Sequence, residues 1–172
     1  VKYGFVNVGP QQWTAWLHDA VRQAAAHHLV VDIHDEYRPT GASRTWPNLL
    51  TQEGVRGNEE MPTAEHNLIL PFTRFLAGPA DATFCWNDAR MKTTRTHQLA
   101  ASIAFFSPLQ FLFWYDRPEQ IVDEPALEFW RHLPTSWTDT RVLEGAPGEF
   151  LTIARRSGET WYVGSMNGTA AR

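Results

Sequence analysis

The stretch VVDIHDEYRPTGASRTWPNLLTQEGVRGNEEM, residues 30–61, contains two apolar runs that are each followed by acidic residues. The first run, residues 29–33, is almost continuously apolar, which is typical of a strand covered on both faces in a parallel sheet. The second, residues 47–52, predicts another, shorter strand. Because the carboxyl ends of parallel strands meet at one edge of the sheet, the side chains that follow both runs are expected to share a site.

The sequence before this stretch predicts a strand and a helix. Residues 2–8 favour a short buried strand that ends at Gly9-Pro10. Six apolar residues then recur at the spacing of one buried helix face: Trp13, Trp16, Leu17, Ala20, Val21 and Ala24. Strand, helix and strand at this length form a βα unit of a parallel sheet, so the predicted fold class is α/β.

The sequence after it predicts three helices and then a change of architecture. The helices are expected at residues 63–76, where Pro71 should kink or split the helix, at 96–106 and at 125–133. Past Pro134 the chain alternates polar and apolar residues and is punctuated by Gly, which predicts a separate module of antiparallel strands with a hairpin at residues 156–159. About three strands fit before Arg172, and the chain opens at Val1 without Met, so we expect a fragment truncated at both ends.

Composition excludes several classes of partner. The net charge is −4 with acidic and basic residues interspersed, so the sequence offers no cationic stripe for nucleic acid or lipid headgroups. No run reaches the roughly 18 apolar residues of a membrane span. The single cysteine, Cys85, excludes an internal disulfide.

The acidic residues predict a metal site. His34, Asp35 and Glu36 follow the first run, and Glu53 and Glu59 follow the second. Carboxylates crowded into one pocket repel each other unless a cation or a retained proton compensates them. Many oxygen ligands without Cys favour Ca²⁺ over Zn²⁺.

Two alternatives stay open on the residues alone. The acidic residues of the second run could form a solvated loop, with Glu53, Glu59 and Glu60 paired to Arg44 and Arg56. Asp32, two positions before the strand end, is expected to be a buried structural carboxylate or a lower member of the pocket.

An ordered string of motifs resembles glycoside hydrolase family 97, which holds Ca²⁺-dependent α-glucosidases and α-galactosidases. The motifs are HDE (34–36), RPTG (38–41), RTWPNL (44–49), EGVRGNE (53–59), LPFTR (70–74) and AGPAD (77–81). The resemblance covers residues 1 to about 115, and the tail is similar to the start of the family's C-terminal β domain. It implies that residues 1–134 are the later part of a (β/α)8 TIM-type barrel and that residues 135–172 begin a truncated C-terminal β-sheet domain.

The resemblance also implies roles for individual residues. Glu59 stands where the family places its general acid, and Glu53 matches a Ca²⁺ ligand. Asp35 stands where inverting members carry a Glu that binds Ca²⁺ and helps to activate water, and where retaining members carry Gly. Gly4 stands where retaining members carry the Asp nucleophile. Both positions imply inversion, with Asp35 or Glu36 as the base.

The implied metal ligands are Glu53, Asp35 and Glu59, and His34 and Arg44 are expected to bind sugar or carboxylate. A second carboxylate that some inverting members place after the first strand has no match in residues 9–12. The expected activity is α-glucosidase-like hydrolysis of an oligosaccharide or α-glycoside, and the expected location is the periplasm or exterior of a bacterium.

Two other functions remain possible from the sequence. A non-catalytic carbohydrate-binding or scaffold protein would use the same acidic cluster as a structural Ca²⁺ site. A metal-dependent phosphoesterase would need more Lys or Arg around the carboxylates, and it would leave the motif string unexplained.

Overall fold

The computed structural model describes residues 1–7, 9–35, 37–121 and 125–168. A parallel α/β part precedes an antiparallel sheet, which confirms the predicted fold class. The strands are β1 (Lys2–Tyr3), β2 (Val31–Ile33), β3 (Leu49–Gln52), β4 (Asp139–Ala146), β5 (Phe150–Ser157) and β6 (Thr160–Asn167). The α-helices are α1 (Gln11–Ala26), α2 (Ala64–Ile69), α3 (Arg95–Ala104) and α4 (Pro125–His132).

The parallel sheet has the order β1-β2-β3, so strands that are consecutive along the chain are neighbours. The pairing continues past the strand ends, since the Glu53 N–H donates to the Ile33 carbonyl at 2.8 Å and the Gly54 N–H donates to that of Asp35 at 2.9 Å. The carboxyl ends of the strands therefore lie side by side. Helix α1 covers the outer face through a cluster of buried side chains: Leu17, Val21, Ala24, Val31, Ile33, Tyr37 and Leu49.

The first predicted strand is shorter than expected. β1 ends at Tyr3, and Phe5 has a left-handed backbone with φ 57°, which cannot continue an extended ladder. Val8 lies outside the described residues. On α1, Trp16 is 45% exposed rather than buried, because it lies at the margin of the apolar stripe and packs edge-on against Tyr3.

The predicted helix at 63–76 is split where Pro71 predicts it. Helix α2 ends at Ile69 and is followed by two 3₁₀ turns, Leu70–Phe72 and Arg74–Ala77. Proline has no N–H to donate and its ring crowds the preceding turn, so the α-helix cannot pass through it. The other two predicted helices, α3 and α4, lie within one or two residues of their expected bounds.

The antiparallel sheet has the order β4-β5-β6, and the predicted hairpin turns at Gly158 with φ 57°. Helix α3 packs directly on β6 at Gly164, where a Cβ atom would lie 2.8 Å from the Ala100 carbonyl oxygen. Buried Arg155 donates to two carbonyls at the end of α3, those of Ile103 at 2.7 Å and Ala104 at 3.0 Å. The domain boundary between residues 134 and 135 stays a prediction.

Among the described residues, no helix combines the length and apolar character that crossing a bilayer requires.

Candidate active site

A cavity of about 770 Å³ opens at the carboxyl ends of the parallel strands. Asp35 follows β2, Glu53 follows β3, and Glu59 lies in the loop after it; all three line the cavity. The structure therefore brings together three of the predicted site residues. Glu36 lies outside the described residues. Arg44 is exposed on a 3₁₀ turn and is not among the described residues that line the cavity.

His34 lies at the centre of the carboxylates beside this cavity and is only 4% exposed. Its Nδ1 is 3.0 Å from Asp81 Oδ2, whereas its Nε2 is 3.1 Å from Glu59 Oε1 and 3.2 Å from Glu53 Oε2. Burial by itself lowers the pKa of His34, but hydrogen bonds with Asp81 and Glu59 and the charge of Glu53 outweigh it and raise the pKa to about 9. His34 is thus a cation at neutral pH and compensates part of the acidic cluster.

Two aromatic rings hold the His34 imidazole in place. Phe111 meets it edge-on, with ring centroids 5.6 Å apart, and Trp114 stacks on it at 6.3 Å and an interplanar angle of 25°. Together with carboxylates at both nitrogens, these contacts restrain the orientation of the ring.

Asp81, the partner of Nδ1, is fully buried and also accepts a hydrogen bond from Thr51 Oγ1 at 3.1 Å. It lies in the segment of residues 80–84, which runs parallel to the chain at Phe111. In the sequence, Asp81 figured only in the motif string and no role was predicted for it. A signal was available, because a lone carboxylate within the run ADATFCW, residues 80–86, indicates burial and a specific partner.

Glu53 is buried, and opposing effects act on the pKa of its carboxyl group. Burial, with the charges of Asp81 and Glu59, raises its pKa to about 7, although His34 and the Asp35 N–H act in the opposite direction. That N–H donates to Glu53 Oε2 at 2.5 Å. His34 alone therefore leaves negative charge in this cluster incompletely compensated.

The structure agrees with the solvated-loop alternative for Glu60 but not for Glu53 and Glu59. Glu60 forms an exposed ion pair with Arg56 at 2.7 Å, whereas Glu53 and Glu59 face His34. The loop is anchored by Asn58, whose side-chain amide donates to the Thr83 carbonyl at 2.6 Å. This hydrogen bond fixes the loop at the residue that precedes Glu59.

Asp35 adopts a left-handed backbone with φ 74°, a conformation that Gly adopts without strain. Its carboxylate accepts a hydrogen bond from the Phe5 N–H. A Cβ atom at Gly4 would lie 3.4 Å from Asp35 Oδ2. A side chain at position 4 would thus lie against the Asp35 carboxylate, and of these two positions this protein carries a carboxylate only at the second.

The acidic cluster could bind a metal ion. Ligand atoms of His34, Glu53 and Glu59 lie within 4.8 Å of one another, and so do those of Asp32, His34 and Asp81. Glu53 and Glu59 offer oxygen donors beside the open cavity, which suits Ca²⁺. Asp32 is buried, as expected, and burial and then the charge of Asp81 raise its pKa.

Proteins homologous to this chain are glycoside hydrolases. One family model, Glycoside hydrolase 97, matches residues 1–55, and a second, Glycosyl-hydrolase 97 C-terminal, oligomerisation, matches residues 136–172. The chain belongs to glycoside hydrolase family 97.

Three similar proteins come from bacteria. A retaining α-galactosidase of Bacteroides thetaiotaomicron is 33% identical over 99% of the chain and 29% of that protein. A probable retaining α-galactosidase of Streptomyces bingchenggensis is 36% identical over 99% of the chain and 27% of its own length. A family 97 enzyme from Pseudoalteromonas sp. strain K8, solved with acarbose, superposes with a TM-score of 0.80 and 33% identity over 93% of the chain and 27% of that structure. The chain thus spans less than a third of these relatives.

Proposed function

We propose that the complete protein carrying this chain hydrolyses α-glycosidic bonds with Ca²⁺ and with inversion at the anomeric carbon. Glu59 is the general acid, Asp35 or Glu36 is the base, and Glu53, Asp35 and Glu59 are the metal ligands. The observation that carries the proposal is that Asp35, Glu53 and Glu59 line one cavity at the carboxyl edge of the sheet. Glycoside hydrolysis requires such a pair of carboxyl groups, about 6.5–9.5 Å apart when a water stands between substrate and base.

Inversion is supported by the contact between positions 4 and 35. A retaining enzyme needs a carboxylate that attacks the anomeric carbon, and Gly4, at the position implied for it, has no side chain. Asp35 places a carboxylate in the same region from the neighbouring strand. A carboxylate at this position can accept a proton from water.

The substrate we propose is an α-glucoside. The complexes of the similar Pseudoalteromonas family 97 enzyme with acarbose and panose support a glucoside-type substrate. A second candidate is α-galactoside hydrolysis with retention, favoured by the names of the two curated relatives. We further propose a periplasmic or secreted location. We also propose that the C-terminal module takes part in self-association, because the family model that matches residues 136–172 is described as an oligomerisation domain.

Metal removal is the first test. When bound, Ca²⁺ would neutralise the carboxylates and orient sugar hydroxyls, so we expect exhaustive chelation of the complete protein to lower hydrolysis of an aryl α-glucoside by about 10²-fold or more. Added Ca²⁺ should restore the rate, and Mg²⁺ should do so poorly because it demands a tighter octahedral site.

Full activity after chelation would remove the metal from the proposal. The absence of turnover on both aryl α-glucosides and aryl α-galactosides, with sugar binding retained, would instead favour the non-catalytic carbohydrate-binding function.

A further inference from the structure

We propose that Asp81 is a positioning residue for the acid, acting through His34 on Glu59. The inference rests on the proposed role of Glu59 as general acid. Asp81 is fully buried and is not among the described residues that line the cavity. The proposal gives this carboxylate a function.

Three side chains form a continuous hydrogen-bonded row. Asp81 Oδ2 lies 3.0 Å from His34 Nδ1, and His34 Nε2 lies 3.1 Å from Glu59 Oε1. Exposure rises along the row, from 0% for the Asp81 side chain to 4% for His34 and 35% for Glu59. Asp81 is thus the rigid end of the row and Glu59 is the end that reaches the cavity.

This row determines which oxygen of Glu59 can serve the substrate. A general acid must carry its proton on the oxygen that faces the leaving group. His34 Nε2 lies 3.1 Å from Oε1, so the imidazole holds that oxygen and Oε2 is the oxygen that can face the leaving group. Without His34 in this orientation, the one-third exposed Glu59 side chain could rotate between the two arrangements.

Asp81 fixes that orientation because it anchors the opposite ring nitrogen. Thr51 Oγ1 donates to Oδ1 of Asp81 while Oδ2 faces His34, so both oxygens of Asp81 act as acceptors. An Asn at position 81 would turn an NH₂ group towards one of these donors. The substitution preserves volume and breaks one end of the row.

Asp32 provides a matched control on the same face of the sheet. Its Oδ2 is 3.9 Å from His34 Nδ1, too far for a hydrogen bond, although it is buried to nearly the same degree as Asp81. Asp32→Asn therefore alters a buried carboxyl group beside His34 without removing the hydrogen bond that anchors the ring.

The experiment compares two substrates of the complete protein with Ca²⁺ present: an α-linked disaccharide, whose leaving group needs a proton, and the corresponding α-glycosyl fluoride, which needs none. We expect Asp81→Asn to raise the ratio of kcat/KM for the fluoride to that for the disaccharide by about 10-fold, mainly through a lower kcat for the disaccharide. Asp32→Asn should leave this ratio at the wild-type value.

If Asp81→Asn lowers kcat/KM by the same factor for both substrates, the inference is overturned and Asp81 is a structural residue. The same ratio change in Asp32→Asn would also overturn it, because altering any buried carboxyl group beside His34 would then produce the effect. If Asp81→Asn lacks a cooperative thermal transition, Thr51→Val replaces it as the test variant, since Thr51 Oγ1 donates to Asp81. A rise of about twofold or more in the fluoride-to-disaccharide ratio would then support the inference. An unchanged ratio would overturn it. A wild-type protein that cleaves neither gluco- nor galacto-configured substrates would overturn the proposed function itself.

Discussion

Glu59→Gln is expected to lower kcat/KM for an α-linked disaccharide by about 10²- to 10⁴-fold in the complete protein, the range typical of losing a general acid. Hydrolysis of the α-glycosyl fluoride should keep a substantial fraction of its rate, because fluoride leaves without protonation. Gln retains an oxygen that can accept from His34 Nε2, so the local hydrogen bond persists. The measurement is steady-state kinetics on both substrates.

Glu60→Gln is the matched control, since the same substitution one residue further removes only an exposed ion pair with Arg56. We expect it to change kcat/KM by less than about threefold, as such pairs contribute little. If Glu59→Gln lowers kcat/KM equally for the disaccharide and the fluoride, Glu59 acts only as a metal ligand or structural group, and another residue must be the acid.

The second large effect is expected at Asp35. Asp35→Gly should lower hydrolysis of both the disaccharide and the fluoride by about 10²- to 10⁴-fold, because water must be activated in either reaction. The left-handed φ of 74° accommodates Gly without strain, so the loop should keep its conformation. Circular dichroism and the thermal midpoint would separate a chemical loss from an unfolded loop.

Glu36→Gln is the companion variant because the resemblance leaves the base at either position. If Glu36→Gln lowers kcat/KM by less than about threefold while Asp35→Gly lowers it severely, Asp35 is the base. The reverse pattern would contradict that assignment and give the role to Glu36.

Local patterns determined much of the fold in advance. The apolar stripe of α1, the split at Pro71 and the hairpin at Gly158 depend on spacing and backbone chemistry within a few residues, and the structure has all three. The length of β1 could not be read in this way, since residues 4–7 are as compatible with a strand as with the left-handed turn that Phe5 adopts.

The site was predictable where side chains directly follow strands. Asp35 and Glu53 meet because parallel strands end at a common edge. The Asp81–His34 contact joins residues 47 positions apart. Residues 80–84 alternate apolar and polar side chains, but they were not predicted as a strand, and no local pattern shows that Asp81 faces His34. The distinct environments of Glu59 and Glu60, adjacent in sequence, likewise depend on the anchoring of their loop by Asn58.

The stereochemistry of the product tests the central claim most directly. Proton NMR of the first sugar released from an α-glucoside, or from an α-galactoside if that is the better substrate, should show the β-anomer before mutarotation, because a single displacement by water inverts the anomeric carbon. Gly4, with no nucleophile to offer, and Asp35, with a carboxylate at the same place, predict this result. Initial release of the α-anomer would contradict the account, because retention requires a carboxylate that attacks the anomeric carbon, and the account assigns Asp35 to water activation instead.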